Sequence, residues 1–397
     1  MINKILLFIF IFLLIFFSCS DLKKNETNRI ISVDSFVYTT NKVKLEKIKE
    51  ICTVKYKEFT KFFYQDNRLY LVNSKNDILS ISSVNNKNSK EVIYPVGEIC
   101  KKQGFLSNYG CFHIHNLDSI FLLNRDGYEI LLIDKESKLI NKWKIKEDMN
   151  KILTTSGLFS TNIIFKNNYL SIFGVPKKKL SILLNENVKI LNKERTGMVY
   201  LLEEFGKYEF KHFIGKMPEM YCNGDNYYFP YPKKTINNKN EIIYSYLQDD
   251  SLRIYNFFTG EFVKNVEAKS RYINKFNSMK DLENVENINK YIIDYIRLEP
   301  KYSGIIYDNY NKLYYRTAKH RIEFIENAET INYMFYYLWS MIILDENFNY
   351  IDEIVFNNKK LLMNFNAFIT TKNGFLGPFE KVEDKNIFSL YKITLKR

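Results

Sequence analysis

Residues 131–143 (LLIDKESKLINKW), 253–266 (RIYNFFTGEFVKNV) and 342–356 (IILDENFNYIDEIVF) carry one pattern three times. A run of strand formers stops at Asp134, Asn256 or Asp345, crosses a short turn and returns in a second apolar run. Alternating apolar residues around turns of about two to four residues make antiparallel hairpins. Each hairpin sits inside a longer β-rich window. The windows are Leu69–Glu98, Ser119–Glu147, Asn162–Leu191, Asn226–Glu267, Gly304–Phe356 and Asn373–Leu395. Within them the reading includes YYFPYP (227–232) as the first strand of the fourth window and LSILLNENVKIL as the end of the third.

The five steps from Leu69 to Asn373 average about 61 residues, longer than the usual propeller repeat, and they are unequal, so loops of varied length separate the units. Repeated three- or four-stranded units of this kind predict an all-β chain built as a β-propeller, because radial packing protects the sheet edges. Six windows predict six blades, with Ile30–Phe63 supplying a strand that closes the last blade. The alternatives are seven blades, if that segment makes a blade of its own, and stacked β-sandwiches. One segment breaks the pattern. Residues 278–300 (SMKDLENVENINKYIIDYIRLEP) place Leu282, Val285, Ile288, Ile292 and Ile296 near helical spacing, with Pro300 as the stop. This predicts one inserted amphipathic helix lying on a rim.

The composition agrees. The 397 residues include 30 Tyr and 32 Phe against 7 Pro and 14 Gly, which favours strands over long linkers. Only residues 5–17 form a continuous apolar run, which excludes a polytopic membrane protein built of helices. The formal charge is +13, and leaving out residues 1–18, with Lys4 and no acid, makes it +12. The lysines are spread along the chain among Asn and Ile, with no basic helix and no RNP-like strand. Nucleic acid is therefore not an expected partner.

The N-terminus predicts the compartment. Residues 1–18 (MINKILLFIFIFLLIFFS) read as a signal peptide, and Cys19 follows Ser18 directly. A small residue before Cys at the end of an apolar run looks like a bacterial lipobox, although Phe16 and Phe17 are bulkier than such motifs usually carry. Cys19 is the expected lipidation site, 19–29 a flexible tether, and 30–397 a single propeller domain at the cell envelope, on the outer membrane. An ordinary signal peptide or an uncleaved anchor are the alternatives. Cys52, Cys100, Cys111 and Cys222 remain, as buried thiols or as disulfides, with Cys100 and Cys111 bracketing a polar loop.

The lipobox-like start, the six-unit body, the segment MPEMYCNGDNYYFPYP (217–232) and the strand KLYYRT (312–317) together resemble the β-propeller lipoproteins of Bacteroidota. That resemblance implies a fold and a location and brings no activity with it.

The chemistry readable along the chain is sparse. There is no GxSxG, HExxH, P-loop or EF-hand pattern and no CxxC, so no catalytic residue, metal or cofactor is assigned. His113 and His115, two residues apart on a strand, share a face and lack an evident third ligand. Arg316, Tyr314 and His320, in YYRTAKHR (314–321), are candidate ligand-binding residues, since Arg and Tyr suit an anionic group at a propeller mouth. The competing role for Arg316 is a bridge to an acid of the neighbouring blade. Glu219 and Tyr221, in the Tyr-rich segment 218–232, form the second candidate group, of the aromatic and polar kind that binds sugars or peptides. The reading is a lipid-anchored binding or scaffold protein with an envelope protein or an anionic glycan or peptide as partner. A glycan-acting hydrolase or lyase and an envelope sensor or docking subunit are the alternatives.

Overall fold

The computed structural model describes residues 37–396 apart from 41, 56–58, 76–77, 85–90, 104–108, 125–128, 145–151, 154–163, 174, 177–194, 204–205, 217, 219–231, 279–290, 292–293, 296–297, 322–338, 357–360, 364–367 and 383–384. The chain enters through β1 (Val37–Thr39) and β2 (Val43–Lys55). Among the described residues, five four-stranded sheets, one seven-stranded sheet and one two-stranded sheet are formed, all antiparallel.

Blade 1 holds β3 (Phe59–Gln65), β4 (Arg68–Lys75), β5 (Ile78–Ser83) and β6 (Val92–Tyr94), followed by the short helix α1 (Val96–Lys102). Blade 2 holds β7 (Tyr109–Asn116), β8 (Ser119–Asn124), β9 (Glu129–Ile133) and β10 (Leu139–Lys144). After the short strand β11 (Ile152–Leu153), blade 3 begins with β12 (Ile164–Lys166) and β13 (Tyr169–Phe173). A two-residue strand β14 (Val175–Pro176) pairs back to β11, and the blade ends with β15 (Arg195–Leu202) and β16 (Tyr208–Lys216). Blade 4 is β17 (Lys233–Ile236), β18 (Glu241–Ser245), β19 (Ser251–Asn256) and β20 (Phe262–Glu267). Blade 5 is β21 (Lys301–Asp308), β22 (Leu313–Lys319), β23 (Trp339–Leu344) and β24 (Tyr350–Phe356). Blade 6 takes β25 (Leu361–Met363), β26 (Ile369–Thr371), β27 (Gly374–Leu376), β28 (Pro378–Val382) and β29 (Lys385–Leu395), and is completed from the other end of the chain by β2 and β1.

Apolar packing follows the ring from blade to blade. Val72, Leu79 and Tyr94 meet Phe112, Ile120 and Leu131 between blades 1 and 2. Phe121 meets Phe165 at 4.5 Å between blades 2 and 3, where Trp143 Nε1 also donates to the Glu203 carbonyl at 2.8 Å. Ile214 packs with Ile242 and Tyr244 between blades 3 and 4, and Ile243 and Ile254 with Tyr314 and Ile342 between blades 4 and 5. Tyr315 and Met341 pack with Phe375 and Tyr391 between blades 5 and 6, and Phe388 and Leu390 with Phe62 and Leu69 between blades 6 and 1. Six interfaces close the circle. The protein is a six-bladed β-propeller.

The three hairpins that decide the reading are the outer strand pairs β9–β10, β19–β20 and β23–β24. Their turns are built alike. Asp134 Oδ1 accepts from the Glu136 and Lys138 amides, Asn256 Oδ1 from Phe258 and Thr259, and Asp345 Oδ1 from Asn347 and Asn349, all at 2.8–3.0 Å. A side chain that stands in for a backbone acceptor stops the strand and starts the turn. Ser137, Gly260 and Phe348 then take the left-handed conformation that turns the chain back. Phe348 is an unusual residue for that region, and its ring stacks on Tyr314 of the same blade at 4.4 Å.

Three expectations are corrected, and the expected helix is described only in part. The closing segment Ile30–Phe63 divides: β2 closes blade 6, whereas Phe59–Phe63 belongs to the inner strand of blade 1. The first strand of blade 4 is KKTI (233–236), and YYFPYP lies outside the described residues apart from Pro232. The outer strands of blade 3 are β15 and β16, and LSILLNENVKIL lies outside the described residues. Of the expected helix, Tyr291, Asp294, Tyr295 and Leu298 are helical and Pro300 follows, with the rest of its core outside.

β2 pairs with β29 from Val43↔Leu395 to Lys55↔Lys385, with two register shifts on the way. Removing residues 37–55 would uncover the β29 edge along its length and strip Val43 and Leu45 from the core. The truncated chain is expected to lose its cooperative thermal transition or to aggregate. A melting curve that matches the full-length chain would show that blade 6 stands without this strand.

Candidate functional site

In blades 1 to 5 the first strand lies nearest the axis, and in blade 6 that place is taken by β26. β17 touches β21, β21 touches β26 and β26 touches β3, and β7 and β12 hold the same place in their sheets. These strands all run the same way, since every antiparallel four-stranded blade returns the chain to the face where the next one starts. That face carries the long connectors between blades. The opposite face carries tight turns such as Asp66-Asn67 and Asn167-Asn168, whose positive φ values are those of two-residue hairpins.

The inner strands bring cations together. On β17 the side chains of Lys233 and Lys234 diverge. Lys234 Nζ donates to the carbonyl and hydroxyl of Ser171 in blade 3, at 3.3 and 3.2 Å. Lys233 feels Lys301, the first residue of β21 in blade 5. Lys301 stands opposite Lys319 in the β21–β22 ladder. Deeper along the axis, Lys61 of β3 lies over the Phe112 ring at 5.3 Å. Lys61, His115 and Lys234 all repel a proton from His113, so blades 1, 2 and 4 share one electrostatic site.

The titration behaviour of these groups has one main cause. Burial pushes Lys233 and Lys301 down to about 8, and Lys301 adds repulsion at Lys233. Lys319 is sealed at 1% exposure, and burial followed by repulsion from Lys301 lowers it to about 6, against the pull of Glu299. His113 falls to about 3 by burial and then by its cationic neighbours. Such an axis attracts anions. Among the described residues no group of three or more His, Cys, Asp or Glu is placed to hold a metal ion.

The sequence candidates sit elsewhere, in the seam between blades 4 and 5. Arg316 is fully buried. Its Nε donates to Ser245 Oγ at 3.0 Å, Nη1 to the carbonyls of Asp250 and Ala268, both at 2.8 Å, and Nη2 to those of Asp249 at 2.5 Å and Tyr246 at 3.5 Å. Its guanidinium carbon lies 3.4 Å from the centre of the Tyr302 ring. A guanidinium has five N–H donors, and five acceptors of blade 4 engage them here. The geometry is that of a bridge between blades, made to carbonyls and a serine instead of the acid that the sequence suggested. Tyr314 faces the same way; its hydroxyl accepts from Asn237 Nδ2 at 2.8 Å.

His320 is buried too, with Nε2 2.8 Å from Ser340 Oγ and its ring stacked on Tyr272. Ser340 in turn donates to Glu353, which also accepts from Ser270 Oγ at 2.6 Å. Histidine, serine and carboxylate thus come together, in an order unsuited to nucleophilic catalysis. There the histidine stands in the middle and takes the serine proton. Here serine is in the middle and its proton points at the carboxylate. Glu219, Tyr221, Cys19 and Cys222 lie outside the described residues, as do the side chains of Cys100 and Cys111. Cys52 is a free thiol, and burial raises it to about 12.

The inner-strand lysines are the residues that sequence reading missed. A signal existed: Lys233 and Lys301 each follow a proline at the start of a short strand, in YPKKTI and EPKYSG.

A family model described as "Domain of unknown function (DUF4221)" matches residues 106–355. No curated protein matches the chain. Among solved structures, a DUF4221 family member from Bacteroides vulgatus aligns over 90% of this chain and 100% of its own, at 16% identity and a TM-score of 0.66. That similarity shows the fold. A luciferin-regenerating enzyme aligns over 89% of this chain and 96% of its own at 9% identity and a TM-score of 0.42. Virginiamycin B lyase from Staphylococcus aureus aligns over 89% and 100% at 11% and 0.39. Likeness at that level has no bearing on activity.

Two measurements test the site. Arg316→Ala leaves buried acceptors without donors and should cost about 3–5 kcal/mol of stability in denaturant unfolding; a loss below about 1 kcal/mol would remove the bridge. The second concerns pH. His113 and His320 stand at about 3 and about 4 in the fold against 6.5, so their contribution is complete above 6.5 and is lost as pH falls. Lys319 stands at about 6 against 10.5, so over that window the unfolded chain binds more protons and stability rises with pH. The slope from one such group is at most about 1.4 kcal/mol per pH unit. Lys319→Met should flatten the rise above pH 6.5; an unchanged slope would mean that Lys319 is charged in the fold.

Proposed function

The chain belongs to the DUF4221 family, and from that premise we propose that it is a lipid-anchored binding protein of the cell envelope. The observation that carries the binding role is the cationic axis, where Lys61, Lys233, Lys234 and Lys301 converge from three blades. A cleft with charge of one sign and low-dielectric walls concentrates ions of the other sign. The ligand on this reading is an anionic glycan or peptide, held at the mouth on the connector face. Nucleic acid is a poor fit, since the lysines are spread along the chain and no basic helix or RNP-like strand gathers them into a track for a phosphate backbone. No catalytic role is proposed: the described His–Ser–Glu set is ordered for structure.

The location rests on the sequence. Ser18-Cys19 at the end of an apolar run, followed by a polar stretch to Asn28, supports cleavage, lipidation at Cys19 and a tether to the outer membrane. No described helix is long and apolar enough to cross a membrane. Two acyl chains or more would hold the protein stably, at about 0.8 kcal/mol per buried methylene.

Mass spectrometry of the purified native protein should find residue 19 first and acylated. Cys19→Ser should move the protein from the membrane fraction to the soluble exported fraction without changing its melting temperature. An unmodified Cys19 on a membrane-bound protein would overturn the anchor, and leave the binding role standing.

A further inference from the structure

On the face opposite the long connectors, the turns that follow the inner strands are of two kinds. Residues 66–67, 117–118, 167–168 and 372–373 make two-residue turns, whereas 237–240 in blade 4 and 309–312 in blade 5 have four residues. Each longer turn hangs on a buried side chain at its start. Asn237 Oδ1 accepts from the amides of Lys239 and Glu241, both at 2.9 Å. Asp308 Oδ1 accepts from those of Tyr310 and Asn311 at 2.9 and 3.1 Å, and Oδ2 from Asn311 Nδ2 and the Tyr315 hydroxyl at 2.7 and 3.0 Å. Both turns are thus held in shape by their own anchors, and a surface fixed in advance binds with less ordering cost.

The residues that follow the anchors are exposed, and they meet. Asn238 Nδ2 donates to Asn309 Oδ1, which also accepts from Lys312 Nζ at 3.0 Å. An amide pair joined by one such bond keeps a donor on one member and an acceptor on the other. Among the described residues, Asn309 Nδ2 and Asn238 Oδ1 have no other partner. Tyr310, next in sequence and 50% exposed, extends the cluster to blade 1. Its ring lies 6.3 Å from that of Tyr64, edge to face, and the Tyr64 hydroxyl donates to Asn67 Oδ1 at 3.3 Å. Blade 6 stands between blades 1 and 5, so this contact joins two blades that share no seam.

We propose that Tyr310, Asn309 and Asn238 form a platform for a neutral pyranose, separate from the cationic axis and independent of it. A sugar ring has an apolar C–H face and a rim of hydroxyls, each both donor and acceptor. The open ring of Tyr310 suits the face, and the amide donor beside the amide acceptor suits neighbouring hydroxyls. Asparagine in a turn commonly serves the turn itself. Here Asn237 and Asp308 do that work, which leaves Asn238 and Asn309 to a ligand. The charged side chains Asp308 and Lys312 bond within the turn, and the groups left over are an amide donor, an amide acceptor and a phenol.

The test is calorimetric titration of the purified protein with methyl β-glucoside, methyl β-galactoside, cellohexaose and sorbitol, an open-chain polyol with no ring face. At least one glycoside should bind about tenfold tighter than sorbitol. Tyr310→Ala and Asn309→Ala should each weaken that binding about two- to tenfold, and Tyr310→Phe, which keeps the ring, should retain most of it. Both side chains are exposed, so the variants should melt like the wild type; if Tyr310→Ala melts early, Asn309→Ala decides. Tighter binding of cellohexaose than of methyl β-glucoside assigns a glycan chain, and equal binding assigns a single sugar. Three results would overturn the platform: no glycoside binds, sorbitol binds as well as the glycosides, or binding is unchanged in both alanine variants. None of them touches the reading of the cationic axis.

Discussion

A ring of sheets has to be joined, and the pairing of β2 with β29 is the join on which the other blades depend. The two ends of the chain meet there, with the Lys396 amide donating to the Lys42 carbonyl at 2.8 Å. Without the join, blade 6 would present a long bare ladder and the seam between blades 6 and 1 would be held by side chains alone. The pairing also ties N-terminal apolar residues to a remote blade, since Val43 and Leu45 pack with Leu313 and Tyr315. A solenoid whose neighbours contact only each other can fray from its ends. Here the strand that leaves blade 6 leads directly into the inner strand of blade 1, so fraying at the terminus opens the ring itself.

Within the ring, the seam between blades 4 and 5 carries a polar network. Arg316 takes five acceptors from the β18–β19 turn and the exit of β20, and Tyr302 lies across its guanidinium. The Tyr302 hydroxyl continues the network, donating to Asp250 Oδ1 at 2.5 Å and accepting from the Ser270 amide at 3.0 Å. A buried charge is tolerable when every donor is used, and only the planar fork of arginine could reach this set. The consequence extends to the axis. Tyr302 follows Lys301 on β21, so the bridge that locks the blades also holds the start of the inner strand that carries this lysine.

Clustered lysines and buried histidines give this protein a cost at low pH that a neutral axis would not have. The fold accepts groups whose proton affinity it lowers, and apolar seams all round the ring offset them. Buried, perturbed groups gathered at one place are a common mark of a binding site, and in this protein they lie where six strands meet.

What the sequence determined by itself is local. Asp134, Asn256 and Asp345 stop their strands through side-chain acceptors a few residues away, so three outer hairpins, the repeat and the number of blades were legible along the chain. The closing strand was legible too, because β2 alternates over a long run. Inner strands were not. KKTI is short and half polar, and YGCFHIHN carries two histidines, since strands at an axis face a channel as well as a core and lose the clean alternation that marks a strand. The site was hidden for a different reason. Arg316 beside tyrosines looks like a ligand contact in one dimension, and only the packing of blade 4 shows its donors already taken. Lys61, Lys234 and Lys301 are far apart in sequence and unremarkable singly. Their convergence is a property of the closed ring, which sets inner strands from distant parts of the chain around one axis.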